Sequence, residues 1–423
     1  MFWPSVVLKR QELSLQENRE DKVSLTSDLI WAGHTSGRAP DHASVHTTTR
    51  LPAYAHVTGQ VPDSEHLTEP TTKEPTIEEV TLPLLVLSTG LHGIEGYVGA
   101  HLIDRYIRSF YNPSQIPYST GPHDSFRLYD PSHTIDPSQK PSFKPPFDLV
   151  LIHGINPWGM LNRRKANARN VDLNRNFVID WQDRETLYNP DYDALKNLLH
   201  PAPARSGKGY FYGQLLQALL RLHRAAPGRI ERALTLGQFT DPEGPYYGGT
   251  VYEPETVWMM DVIKCLFSRY QYIVWLDLHT GYGPRGLMQV VRASRDPQTR
   301  ERWQQHFSYP HVVETTGESF YAINGDMIEY MYAYRQANHP HLSLFAATLE
   351  FGTLGDALPA LIRSLSTTVF ENAAYHADRK TTQHEHRLLE MYAPVDARWL
   401  ETTTQQFLLF MQRVHNRLQN ACL

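Results

Sequence analysis

Residues 87–99 read LSTGLHGIEGYVG. A run of apolar β-formers, Leu84 to Leu87, ends in Ser88-Thr89-Gly90, and His92 and Glu95 follow three residues apart. The stretch therefore predicts a buried strand, a tight turn and the start of a helix. A loop that leaves a strand end lets an imidazole and a carboxylate converge. Zinc accepts nitrogen and oxygen ligands, and a catalytic site uses three protein ligands plus an open position for water. His-x-x-Glu alone is weak evidence; its weight comes from partner residues farther along the chain.

Outward from this stretch, apolar strand-like runs alternate with helical patterns, the signature of βαβ units and a mostly parallel or mixed sheet. Predicted strands are Leu84–Leu87, Asp148–His153, Tyr272–Leu278, Leu287–Val291 and Leu344–Phe351. Predicted helices are Gly96–Phe110, Tyr210–His223, Glu255–Phe267, Asp326–Arg335, Pro359–Ala374 and Asp396–Asn416. Residues 1–78 are polar and weakly periodic, and read as an irregular N-terminal extension with room for a short strand or two. Residues 79–423 read as one domain with two inserts. The first, near 111–146, is dense in Pro, Ser and Asp; the second, near 183–249, carries helices of its own.

Three further elements carry chemistry. His279 ends the β-forming run YIVWLDL, and its bland alternative is a buried, hydrogen-bonded histidine. Within NVDLNRNF, residues 170–177, Asn174 and Arg175 pair an amide with a planar guanidinium fork suited to a carboxylate. Asp172, two residues earlier, is a candidate partner for the second ring nitrogen of His92, since metal-bound histidines usually give that N–H to a carboxylate or carbonyl. Glu350 ends an apolar strand, where a carboxylate needs a partner or a task. Beside an activated water it would be a general base.

These elements in this order resemble the zinc carboxypeptidase superfamily of carboxypeptidase A type. The resemblance spans roughly residues 82–375, and the 71-residue step from His279 to Glu350 also suits it. More narrowly, STGLHGIEG, HGINPWGMLNRRKANARNVDLNRNF, GPYYGG and LDLHTGYGPRG resemble an uncharacterised bacterial branch of metallopeptidases in that superfamily. The resemblance implies an α/β fold of three layers, αβα, with a mixed, mostly parallel central sheet. It implies one Zn²⁺ per chain, with His92, Glu95 and His279 as ligands and Glu350 as catalytic base. Asn174 and Arg175 would hold a substrate carboxylate. An arginine that polarises the scissile carbonyl would be Arg164, within Arg163-Arg164-Lys165. A substrate-capping tyrosine would be Tyr321, with Tyr330 and Tyr332 as competitors. The gap from Glu95 to His279 is longer than in digestive relatives, and places the tract from Tyr246 to Thr256 near the cleft entrance.

The implied activity is hydrolysis of an amide bond beside a free carboxylate, on a peptide or an N-acyl amino acid. A peptidase, an N-acyl-amino-acid deacylase of aspartoacylase or succinylglutamate desuccinylase type, and a non-catalytic zinc-binding protein all stay open here. So does a two-metal centre using Asp172 and Asp277. Composition narrows the classes. A net charge of −5 with mixed signs and no basic run argues against nucleic acid. Only Cys265 and Cys422 are present, which fits a reducing, cytoplasmic setting. The sequence predicts no secretory leader and no membrane span.

Overall fold

The structure, a computed structural model, describes residues 6–15, 25–34, 82–110, 147–202, 207–222, 227–314 and 323–420. Eight strands form one sheet: β1 (Val6–Leu15), β2 (Leu25–His34), β3 (Leu84–Thr89), β4 (Asp148–His153), β5 (Tyr272–Thr280), β6 (Met288–Arg292), β7 (Val312–Glu314) and β8 (Ser343–Phe351). Their order is β1-β2-β4-β3-β5-β8-β6-β7. The centre, β4-β3-β5-β8, is parallel throughout. β6 runs antiparallel to β8 and parallel to β7, while β2 is antiparallel to both β1 and β4.

Parallel strands need crossover connections, which place helices on both faces and bury the strands on both sides. That is why β3 reads LLVLST with every residue buried. Side chains alternate between two cores. Leu85, Leu87, Leu276 and Leu278 pack on the helices Gly96–Phe110 and Ala397–Asn420 through Leu102, Tyr106, Phe407 and Met411. Val86, Ile273, Trp275 and Ala346 pack on Pro254–Phe267 and Met327–Asn338 through Met259, Ile263, Ile328 and Met331. The result is the expected three-layer αβα arrangement with a mixed, mostly parallel sheet.

Within the second insert, the helices Pro190–Leu199, Lys208–Leu222 and Pro227–Thr235 build a separate apolar cluster. Tyr192, Leu199, Phe211 and Leu215 pack there against Leu365 and Val369 of the helix Leu358–His376. The tract expected to be irregular contributes β1 and β2, paired over ten residues each and joined to the edge of β4. The first insert, 111–146, lies outside the described residues. No helix among the described residues is long and apolar enough to cross a membrane.

Candidate metal centre and cleft

The carboxyl ends of β3, β5 and β8 open onto one cavity of about 760 Å³, lined by His92, Glu95, His279 and Glu350 among others. Ligands in open α/β sheets bind outside such strand ends. After β3, Gly90 turns the chain at φ +78°, a left-handed conformation that favours glycine. A 3₁₀ turn, Gly93–Glu95, then carries both side chains inward. A Cβ at Gly93 would lie 2.3 Å from the Arg164 carbonyl oxygen, so only glycine fits beneath this turn. Ile94 N–H donates to that same oxygen at 3.0 Å, tying the turn to the basic run.

His279 and Glu350 are direct cross-strand partners on β5 and β8. Asp277, two residues before His279 and therefore on the same strand face, accepts from His279 Nε2 at 2.5 Å. Its other oxygen accepts from the Ser88 hydroxyl at 2.6 Å, and that hydroxyl accepts from Trp275 Nε1 at 2.9 Å. This buried chain fixes the His279 ring and leaves Nδ1 facing Glu95 Oε2 at 3.5 Å. Glu95 Oε2 also accepts from the Thr280 N–H at 3.0 Å. The His92 ring stands edge-on to that of His279, centroids 5.0 Å apart. Its Nδ1 is 3.1 Å from Asp172 Oδ1, at ion-pair distance without hydrogen-bond alignment. Glu350 Oε1 accepts from the Tyr282 N–H at 2.9 Å.

Charge explains the protonation preferences. Burial pushes the His92 imidazole down, and the Lys165 ammonium adds to this. Burial also acts to raise Glu95, but the charges of His92, His279 and Lys165 outweigh it and hold the carboxyl below its usual range. Burial opposes a charged His279, yet Asp277 and Glu95 raise it well above the ordinary imidazole value. Glu350 is pushed up to about 7, first by burial and then by the nearby Glu95 charge.

Of the DLNRNF residues, Asp172 lies beside His92. Asn174 lines the cavity; its amide oxygen accepts from Met327 N–H at 3.0 Å and its nitrogen donates to Asp326 at 2.9 Å, which leaves a second N–H. Arg175 lines the cavity with its guanidinium almost wholly buried; Nη1 donates to the Asn174 carbonyl at 3.0 Å, and Nε is buried without a hydrogen-bond partner.

One expected position does not come to the cleft. Arg164 is buried with its guanidinium bonded to Glu371 at 3.0 Å and to Asn170 and Asn372, and stacked 3.5 Å over the Tyr375 ring. It does not line the cavity; Lys165, the next residue, does. Tyr321 lies outside the described residues. Of its competitors, Tyr332 is in the core, bonded to the Ala346 backbone, and Tyr330 stacks on Tyr334. Tyr246, from the tract expected at the entrance, does line the cavity. Sequence reasoning missed the Trp275–Ser88–Asp277 chain behind His279. The two-residue spacing of Asp277 and His279 on a strand is the signal that would have found it.

Among the described residues, no group of three or more His, Cys, Asp and Glu side chains stands ready-made as a metal cage. The donor types nevertheless suit zinc: two imidazoles and a carboxylate. The His279–Glu95 contact is spaced as two ligands of one ion would be. His92 has Asp172 at one ring nitrogen, leaving the other for a metal. Three buried carboxyls, Glu95, Asp326 and Glu350, line the cleft together with the basic side chains of Lys165, Arg175 and Arg292.

The chain matches the protein family described as "Protein of unknown function (DUF2817)" over residues 136–406. No curated protein matches it in sequence. Among solved structures it is similar to carboxypeptidase A from Helicoverpa armigera, at 13% identity over 92% of this chain and 69% of that chain, TM-score 0.36. It is similar to bovine thrombin-activatable fibrinolysis inhibitor, solved with tick carboxypeptidase inhibitor, at 10% identity over 98% and 91%, TM-score 0.41. A third is the murein-tripeptide amidase from Escherichia coli O157, at 17% identity over 71% and 82%, TM-score 0.28.

Proposed function

The chain belongs to the DUF2817 family, and from that premise we propose that it is a zinc-dependent hydrolase of an amide bond beside a free carboxylate. The observation that carries this reading is the meeting of His92, Glu95, His279 and Glu350 at adjacent strand ends in one cavity that Arg175 also lines. His92, Glu95 and His279 would hold one zinc ion. When bound, zinc supplies a Lewis acid that polarises a carbonyl and acidifies water.

The chain's own residues do the rest. Asp277 and Asp172 orient the two imidazoles. Glu350 takes the proton of the attacking water and passes it to the leaving nitrogen, a role that suits a carboxyl poised near neutrality. Arg175, which lines the cavity, would offer its guanidinium to the substrate carboxylate. Asn174, held by Asp326 and Met327, would join Arg175 in holding that carboxylate through its second amide N–H. Residues 79–423 form the catalytic unit in this reading.

The outer wall of the cavity favours a substrate with a bulky apolar group. Leu215, Leu234, Ile362 and Leu365 line it, and Leu358 and Leu361 stand exposed at its mouth. Both an N-acyl amino acid with an apolar acyl group and a peptide with a large apolar residue meet that requirement. Turnover of a dipeptide panel beside an N-acyl amino acid panel separates peptidase from deacylase. The expected result is about one zinc per chain and turnover that chelation abolishes. Glu350→Gln should keep zinc and lower kcat by about 10²–10⁴-fold. Stoichiometric zinc with no turnover on either panel would support a non-catalytic zinc protein instead.

A further inference from the structure

The basic run Arg163-Arg164-Lys165 sends its three side chains to three different carboxylates. Arg163 pairs with Glu385 at 2.9 Å on the surface. Arg164 pairs with Glu371 at 3.0 Å in a buried pocket and lies flat on Tyr375. Lys165 alone enters the cleft, its Nζ 3.8 Å from Glu95 Oε1 and 5.5 Å from the centre of the Tyr392 ring. We propose that Lys165, rather than Arg164, faces the scissile carbonyl and stabilises the negative charge that develops on its oxygen. This deepens the hydrolase reading above and rests on it.

Three observations carry the assignment. First, Arg164 is held away from the cleft: its Nε and Nη2 bond Glu371, Asn170 and Asn372, and only Nη1 lacks a partner. Swinging it into the cleft would leave the buried Glu371 carboxylate only the longer Lys380 contact at 3.8 Å and give up the ring contact, and weakening a buried pair is destabilising. Second, Lys165 is available. Its contact with Glu95 exceeds hydrogen-bond length, so the ammonium keeps its three donors for a ligand. Third, its position is fixed by the chain that carries the metal-side residues. Ile94 N–H donates to the Arg164 carbonyl, and Gly93 packs against that same oxygen, so Lys165 leaves the backbone at a set height beside Glu95.

In the reaction, water adds to the carbonyl carbon and the π electron pair moves onto the carbonyl oxygen. Lys165 stays protonated and donates a hydrogen bond to that oxygen. Glu350 carries the water proton to nitrogen, the oxygen pair collapses back, and the C–N bond breaks. Lys165 neither gains nor loses a proton over the cycle. A preorganised donor aimed at a developing oxyanion accounts for about 10²–10³-fold in kcat where it has been removed.

The test uses the full chain loaded with zinc. Lys165→Met should lower kcat by about 10²–10³-fold with KM within about threefold and zinc content unchanged, and Lys165→Arg should recover at least about tenfold of the loss. Arg164→Met should lower stability but leave the kcat of the folded protein within a few-fold. Calorimetry supplies a readout apart from turnover. Lys165→Met should weaken a phosphinic pseudopeptide, which carries an anionic tetrahedral centre, and leave the uncharged ketomethylene isostere unaffected. A wild-type rate and wild-type phosphinate affinity in Lys165→Met, alongside a dead Glu350→Gln, overturn the assignment and spare the hydrolase reading. Loss of zinc from Lys165→Met also overturns it, because the ammonium would then serve Glu95 alone. A wild-type chain that holds zinc yet neither turns over a substrate nor binds the phosphinate overturns both.

Discussion

Glu350 is buried where opposing charges meet: Glu95 raises its carboxyl while His279 and Lys165 lower it, and burial leaves it at about 7. The folded chain therefore holds this proton more tightly than the unfolded chain, whose ordinary value is near 4.5. The group's contribution to stability is full below the unfolded value and is lost as pH rises through about 7. Metal-free wild type should thus lose on the order of 1–3 kcal/mol relative to Glu350→Gln over that window. Urea midpoints of the two proteins at several pH values measure it, and parallel curves would remove the shift. Zinc should flatten the slope, since added positive charge favours the carboxylate. Arg175→Ala should raise KM for substrates with a free carboxylate about tenfold or more, as loss of a charged hydrogen bond of about 1.5–3 kcal/mol implies. Amidated substrates should be little affected, and an equal loss on both would contradict a carboxylate contact.

The turn Gly93–Glu95 is the element on which the site depends most. Its first residue has backbone atoms of Arg164 and Gly159 within 2.3–2.6 Å of where a Cβ would stand. Gly93→Ala should cost roughly 1–3 kcal/mol or prevent folding, by overpacking against groups that cannot yield. Gly213→Ala, in open space within the helix Lys208–Leu222, should instead stabilise by about 0.5–1 kcal/mol. Thermal melts of both variants check the contrast in sign. Elements of this kind divide sharply in how legible they are. β3, β4, β5 and β8 are buried on both faces, and their uninterrupted apolar runs announce them within a residue or two. β7 is three residues long, and the helix Arg300–Phe307 buries only Trp303 and Phe307 in a polar stretch, so neither leaves a periodic signal. The positions expected for His92, Glu95, His279 and Glu350 follow from strand ends and converge. Which residue of Arg163-Arg164-Lys165 enters the cleft depends on backbone direction after the helix Pro157–Leu161, and residue type cannot report that.

Across the whole molecule, a dication held by His92, Glu95 and His279 would bind the folded chain alone, since only folding brings these residues together. Chelation should therefore lower Tm, and zinc should restore it, because a ligand held by the folded state alone stabilises it by up to about 4 kcal/mol at a thousandfold excess over Kd. Differential scanning calorimetry with and without chelator measures this, and identical melts would indicate a site without affinity for the ion. The second insert meanwhile packs three helices against Leu358–His376, so the apolar side of the cleft belongs to a unit with a core of its own. The central sheet sets the chemistry and this appended cluster sets the shape offered to a substrate. His279 and Glu350 are paired across β5 and β8. A one-residue slip between those strands would turn every side chain of one strand to its opposite face. Changes confined to rim loops and inserts would therefore alter the choice of substrate, while the hydrogen-bond ladder keeps the distance between these two groups.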